Sequence, residues 1–501
     1  MDAMSAAATD SPPPAADILD TPQAGARAIR ASAVRTLGYL VGSLLAVISA
    51  PLLVRHLGVV DFGRYYTVIS LVALVGGVTD IGLATVAVRE YTIRTGADRH
   101  AFMRQILGAR LLLSAVGVLG ATGFAVLAGY GEELVIGTAL AGAGLMVTVV
   151  AHTFGVPLSV QLRMGWLTGI DLVGKVLTLA LVVVLILTSS GVVGFLAIAI
   201  PAGLVTLVLT TAVTRRDIPL RPSLKTAELR RLLRDALPLA VATILNTLYA
   251  RVVIIIMSLI ATGLVTGYFG TAARVVEVAV GVPVALIGTT FPIFARAARD
   301  DQARLRYVMQ RVGEVALIGG VWMTLVMAVG AGAIADVLVG GTQSQPVAEV
   351  LRVMALALVP VSLNVTWQTA LVALHRYRDL LVVNGLALAS IVVLTFALVP
   401  PLGAVGAALA VVGGEALLAT MSAVALLRAR RALGLEVRLV WRVAGATALA
   451  LAAAAVPPMP DAARIVVVTL VYLGALTALR AFPGEVRDAF LQRLRGGSPS
   501  A

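Results

Sequence analysis

The sequence predicts an all-α integral membrane protein of about fourteen transmembrane helices, and three observations carry that prediction. Hydrophobic residues make up 59% of the 501 and charged residues only 13%, with a mean hydropathy of +0.98. A water-soluble domain carries about 25% charged residues, so this chain cannot clothe itself in a water-facing surface. Apolar stretches long enough to cross a bilayer, about 20 residues each, recur along almost its whole length. The basic residues also alternate between loops as the positive-inside rule requires. The helices are expected to form two parallel, pseudo-symmetric six-helix halves followed by two further helices.

In chain order, residues 1–35 read as a cytoplasmic tail ending in a surface helix. Asp2, Asp10, Asp17, Asp20 and Pro12–Pro14 are unlike a signal peptide, and Ala26–Arg35 has the pattern of an amphipathic interfacial helix. The first six spans are predicted near 36–54, 65–88, 106–128, 134–157, 167–188 and 192–213, forming an N-terminal lobe over 36–213. A basic linker, 214–235, ends in a stretch with an amphipathic pattern. Spans near 236–260, 267–291, 313–335, 350–372, 380–399 and 405–427 form the second lobe, 236–427. The last two spans, near 440–457 and 464–481, occupy 428–481, and 482–501 is a second cytoplasmic tail.

The charge distribution orients this arrangement. With the N-terminus placed in the cytoplasm, thirty of the 39 Lys and Arg fall in cytoplasmic segments, four on the opposite face (Arg55, Arg64, Arg352, Arg464), and five within spans. Removing any one helix would invert the bias downstream, so both termini are expected on the cytoplasmic side of the cell membrane. The net charge of +13 is then a topology signal and not a nucleic-acid surface. No cysteine is present and the four histidines are scattered, so neither disulfides nor a metal centre are expected. No cofactor motif or nucleophile elbow occurs, so an enzyme is not expected. The short outer loops argue against a glycan polymerase or glycosyltransferase.

An internal duplication is also legible. Gly58, Gly63 and Tyr65 after the first span match Gly263, Gly267 and Phe269 after the seventh. Gly191 and Gly194 match Gly403 and Gly406 at an offset of 212, and Leu162–Trp166 aligns with Leu374–Arg378 at the same offset. Six spans per repeat is an even number, so both halves share one orientation.

These residues carry a resemblance. The segments VRHLGVVDFGRYYTVISLVALVGGVTDIGLATVAVRE (54–90), GYFGTAARVVEVAVGVPVALIGTTFPIFAR (267–296) and PLGAVGAALA (401–410) resemble the polysaccharide-biosynthesis, or oligosaccharide flippase, family of the multidrug/oligosaccharidyl-lipid/polysaccharide (MOP) exporter superfamily. The resemblance covers about residues 35–430. It implies two six-helix lobes around a central cavity. It further implies a flippase moving a polyprenyl-diphosphate-linked glycan from the cytoplasmic to the outer leaflet for surface polysaccharide synthesis. Membrane lipids, and glycan polymerase or assembly proteins, are the other partners it implies. The alternative is a cation-coupled antiporter of small molecules or drugs in the same superfamily.

Charges inside the bilayer are the candidate site, because an arginine at a span centre costs about 2.5–3.5 kcal/mol and so faces the bundle interior or water. Arg251, well inside the seventh span, is either a cavity guanidinium for a lipid diphosphate, whose oxygens suit its planar fork, or the partner of a carboxylate on another helix. Arg274 matches the family's arginine in the eighth span, and Glu277 three residues on could pair with it or bind a coupling ion. Arg55 is either a second diphosphate contact or a snorkelling anchor. Asp80 and Glu415 are the other candidate ion-coupling carboxylates. Asp171 and Lys175 have the spacing of a structural pair, and Arg110 that of a snorkelling side chain. Asn246, Asn364, Gln368 and Asn384 could bond sugar hydroxyls or bridge helices. Pro51 and Pro283 could permit bending.

Overall fold

The computed structural model describes residues 24–80, 82–215, 221–224, 226–288, 290, 294, 302–430, 437–455 and 459–481. Among them the regular elements are all helices. The expected tails 1–23 and 482–501 and the middle of the linker lie outside the described residues.

α1 (Ala24–Asp80) contains the first two predicted spans in one 57-residue run broken only at Gly58, whose φ of 74° is a conformation that only glycine adopts freely. The helix α10 (Gly263–Gly288) reveals that the two limbs of α1 fold back on each other. Gly267 touches Gly63 on the second limb, and Gly281 touches Tyr39 on the first. These two points on α10 are about 21 Å apart. Tyr39 and Gly63 match that distance only if the chain reverses at Gly58; unreversed they would be about 36 Å apart.

Two expectations about element ends change. The second span stops at Asp80, not at residue 88: Gly82, in the left-handed region, turns the chain into α2 (Leu83–Ile93). α2 buries Leu83, Ala87 and Tyr91 against Phe102, Met103 and Ile106 of α3 (Gly96–Leu127). Hydropathy alone does not separate such a half-buried helix from the span before it. The predicted surface helix Ala26–Arg35 is likewise the start of α1, continuous with the first span.

The N-terminal half continues with α4 (Glu132–Phe154), α5 (Val156–Val160), α6 (Met164–Leu187), α7 (Val192–Ala197) and α8 (Ala199–Thr214). α9 (Thr226–Ile260) opens the second half and runs from the linker straight into the seventh span. After α10 come α11 (Gln302–Val329), α12 (Ala331–Leu338), α13 (Ser344–Ala355), α14 (Leu358–Ala373) and α15 (Tyr377–Arg430), then α16 (Val437–Ala454) and α17 (Asp461–Ala478). α15 holds two spans joined at Gly403, φ 58°. Ten helical segments are long and apolar enough to cross a bilayer, and the two longest, of 57 and 52 residues, each cross twice. With the shorter apolar helix Ile244–Ile260 added, thirteen of the fourteen expected spans are found among the described residues, and α16 stands at the place of the remaining one. In the ten segments the buried share runs from 17 to 56%, so much of the apolar exterior faces lipid.

The duplication is visible in backbone detail. Leu162 (φ 54°) and His375 (φ 57°) are non-glycine residues in the left-handed region, each ending a helix with the same three bonds. Gln161, Leu162 and Arg163 donate to Pro157, Ser159 and Leu158; Leu374, His375 and Arg376 donate to Ala370, Val372 and Leu371. This is the Schellman closure that satisfies the last carbonyls. The offset at this turn is therefore 213, one more than sequence matching suggests, because Leu162 pairs with His375 and not with Leu374. The two halves meet where α1 crosses α10. A Cβ on Gly63 would lie 2.7 Å from the Cα of Gly267, and a Cβ on Gly270 would lie 3.2 Å from the ring of Tyr66. Each contact joins two positions that match in the repeat at the same offset of 204, Gly63 with Gly267 and Tyr66 with Gly270. Equivalent points touch each other only on the pseudo-twofold axis, so this crossing marks it.

α16 and α17 pack on the outside of the second half. Tyr472 is fully buried against Leu317 and Leu325 of α11, and its hydroxyl donates to the Ile318 carbonyl at 3.0 Å.

Candidate functional site

Three of the predicted intramembrane charges form one cluster. Glu277 lies on α10 and uses its two carboxylate oxygens separately. Arg251 of α9 donates from Nη2 to Oε1 at 2.6 Å, and Arg274, one turn before Glu277, donates from Nη1 to Oε2 at 3.1 Å. The Tyr66 hydroxyl of α1 lies 3.5 Å from both Oε2 of Glu277 and Nη1 of Arg251. Arg251 is nine residues from the end of α9 and Glu277 fourteen from the start of α10, about 14 and 21 Å along their axes. Both lie deep in a hydrocarbon core of about 30 Å. Arg251 thus lines a cavity and also has a carboxylate partner on another helix. Two guanidiniums and one carboxylate leave the cluster with one net positive charge.

The cluster borders a cavity of about 360 Å³ between α9, α10, α14 and α15, lined among others by Tyr66, Asn246, Arg251, Glu277 and Glu415. Glu415 makes no ion pair among the described residues; its neighbour is the buried Tyr249 hydroxyl, the group placed to bond it. Three of the four amides tie helices together. Ser422 donates to Asn364 Oδ1 at 3.0 Å, and Gln368 donates to Asn384 at 3.2 Å.

The N-terminal half holds a matching cavity of about 540 Å³. Its lining positions Val72 and Ala73 correspond to Val276 and Glu277 at offset 204, Thr148 and Thr178 to Val361 and Ile391 at 213, and Ala199 and Gly203 to Val411 and Glu415 at 212. Equivalent backbone therefore encloses both cavities, while the charges differ. Asp171 and Lys175, expected to pair, both open onto this second cavity and form no ion pair with each other. Lys175 reaches instead toward Gly42 of α1.

The remaining candidates lie elsewhere. Arg55 does not join the cluster: at the arginine-poor face it donates to the Asp336 carbonyl at 3.0 Å, linking the two halves. Tyr130, in the turn after α3, bonds Ser258 of α9, and burial pushes that hydroxyl's pKa up. Asp80 pairs with Arg110 at 3.0 Å, and Arg110 also donates to Thr153 at 3.1 Å. Arg110 does not snorkel: its side chain is only 5% exposed, because Asp80 supplies the counter-charge that burial requires. Tyr66 and Tyr249 were not singled out from the sequence. For Tyr66 a signal existed, since the repeat places glycine at the matching Gly270.

Comparison with known proteins follows this geometry. A family model described as "Polysaccharide biosynthesis protein" matches residues 29–298, more than half of the chain. Among curated protein sequences there is no match. The structure is similar to that of the lipid II flippase MurJ in an inward closed conformation, with a TM-score of 0.76 and 13% identity over 88% of this chain and 97% of that one. It is similar to an inward-facing multidrug resistance MATE family transporter of the MOP superfamily, with a TM-score of 0.63 and 16% identity over 79% of this chain and 95% of that one. A MOP superfamily transporter from Pyrococcus furiosus aligns with a TM-score of 0.52 and 17% identity, over 81% and 94%. At these identities the likeness is one of fold, whereas the family match is to the sequence itself. The chain belongs to the polysaccharide biosynthesis protein family, as a multi-pass membrane protein with the fold of the MOP-superfamily transporters.

Proposed function

We propose that the protein flips a polyprenyl-diphosphate-linked oligosaccharide from the cytoplasmic to the outer leaflet by alternating access of its two halves. The observation that carries this reading is Arg251, on the cavity wall deep in the membrane and joined through Glu277 to a second guanidinium, Arg274. Guanidiniums there suit an anionic cargo, and their planar forks suit phosphate oxygens. At about 360 Å³ the cavity is at the small end of ligand pockets, about 300–1,000 Å³. It has room for a head group and not for an oligosaccharide, so the glycan requires the halves to part. The polyprenyl tail would stay in lipid. MurJ, whose fold is similar, is a flippase of lipid II, which supports a lipid-linked cargo.

Arg55 fits this scheme as part of the closure at the arginine-poor face, not as a diphosphate contact. Glu415, without a cationic partner in the cavity, is the best-placed of the three carboxylates to bind a coupling ion. It also favours the second reading, a cation-coupled antiporter of small molecules, as the MATE neighbour transports drugs by its name. The two readings separate on Arg251→Ala/Arg274→Ala. Each charge-assisted contact contributes about 1.5–3 kcal/mol, so the double variant should lose glycan export by at least about 100-fold while remaining in the membrane. Undiminished export by that variant overturns the arginine-lined cavity as the site of the cargo.

A further inference from the structure

We propose that Glu277 is a tethered stand-in for the cargo's phosphates: it occupies Arg251 and Arg274 while the cavity is empty and is displaced from both when a diphosphate head binds. This rests on the lipid-diphosphate reading of the cavity.

The geometry is that of an occupied anion site. One carboxylate presents two oxygens, and each is taken by a different guanidinium, at 2.6 and 3.1 Å. A bridging phosphate presents the same two acceptors to the same two forks. The two ligands therefore exclude each other from one set of donors, and Glu277 is joined to its own by a short side chain.

The fold does not require this cluster. At offset 204 Glu277 corresponds to Ala73 and Arg274 to Ser70, while Arg251 falls on the apolar stretch Ala46–Ile48. The N-terminal half builds the matching cavity with none of the three charges. A purely structural ion cluster would be expected where the backbone needs it, in both copies. It is present only in one.

An empty carrier does require something of the kind. Two guanidiniums left without an anion deep in the bilayer are costly, so a carrier that releases its phosphates must otherwise return with bare charges. Glu277 supplies the anion for that stroke. It also weakens cargo binding, which allows release. Because Oε2 of Glu277 also faces the Tyr66 hydroxyl of α1, its displacement loosens a contact between the halves at the α1–α10 crossing. Binding and the parting of the halves are thereby linked.

The test uses the full chain in lipid nanodiscs, with farnesyl diphosphate as probe and farnesol as control. Glu277→Gln keeps the side chain's length and removes its charge. It should bind farnesyl diphosphate about tenfold tighter than the native protein, yet export lipid-linked glycan more slowly, because release and empty return suffer. Farnesyl diphosphate should also raise the unfolding temperature of Glu277→Gln more than that of the native protein. That readout covers a variant that is fragile without ligand, and a merely structural role would not produce it. Glu277→Asp, which keeps the charge but cannot span both arginines, should bind with intermediate affinity. Equal or weaker binding by Glu277→Gln, with the native protein still preferring the diphosphate to farnesol, overturns the stand-in and leaves the flippase reading intact. If the native protein binds farnesyl diphosphate no better than farnesol, the reading of the cavity fails, and the stand-in fails with it.

Discussion

Arg251 and Arg110 are both arginines inside the membrane, and their surroundings assign them different work. Arg251 shares its carboxylate with Arg274 and borders open space. Arg110 is itself buried, and bonds Asp80 and Thr153. The first can exchange its partner for a ligand; the second cannot do so without leaving a buried charge uncompensated. Asp80→Asn should therefore act on stability, lowering it by about 1.5–3 kcal/mol, the worth of a hydrogen bond to a charged group. Thermal unfolding in nanodiscs measures this, and export by the protein that remains folded should be unchanged. An export defect without loss of stability would restore Asp80 as an ion-coupling residue. None of these pairings was legible beforehand, except that of Arg274 with Glu277, three residues apart on one helix. Arg251 is 26 residues from Glu277 and Asp80 is 30 from Arg110, separations that carry no distance information between helices.

The crossing of α1 and α10 is where an element's sequence decides how the halves meet. The stripe Val59, Gly63 and Tyr66 faces Gly263, Gly267 and Gly270, and the glycines let two backbones approach closely, as small residues do in membrane interfaces. A Cβ on Gly267 would overlap the Val59 carbonyl, so Gly267→Leu should pry this face apart. Thr67, only 2% exposed, reports on it. In a Thr67→Cys protein, labelling by a membrane-impermeant maleimide should become about tenfold faster when Gly267→Leu is added, a shift of about 1.4 kcal/mol. An unchanged rate would mean that the crossing is not the closure. Sequence matching had already paired Gly63 with Gly267 as repeat equivalents. That they touch follows only from the axis passing between them. The offset of 213 at Leu162 and His375 was hidden for a related reason, since the match lies in backbone conformation and not in side-chain type.

For the molecule as a whole, the arginine asymmetry is the claim most open to direct measurement. The chain contains no cysteine, so single replacements report without background. Ser344→Cys, on the arginine-poor face, should be labelled by an impermeant maleimide in intact cells. Ser223→Cys, in the linker held against Arg104 of α3, should be labelled only after permeabilisation. The reverse pattern would invert the topology.

Fourteen spans, a predicted orientation and a duplicated plan all follow from the chain read as a string. Each depends on transfer free energies and charge counts that add up residue by residue along it. The endings of spans were less legible, as Gly82 and α2 illustrate, because half-buried and fully buried apolar helices have similar hydropathy. Which charges meet, that Arg55 bonds Asp336 and does not line the cavity, and that Glu277 holds two arginines at once were decided only by tertiary structure. Such encounters depend on the depth and rotation of each helix where it crosses its neighbours, and those are set by packing between segments far apart in the chain.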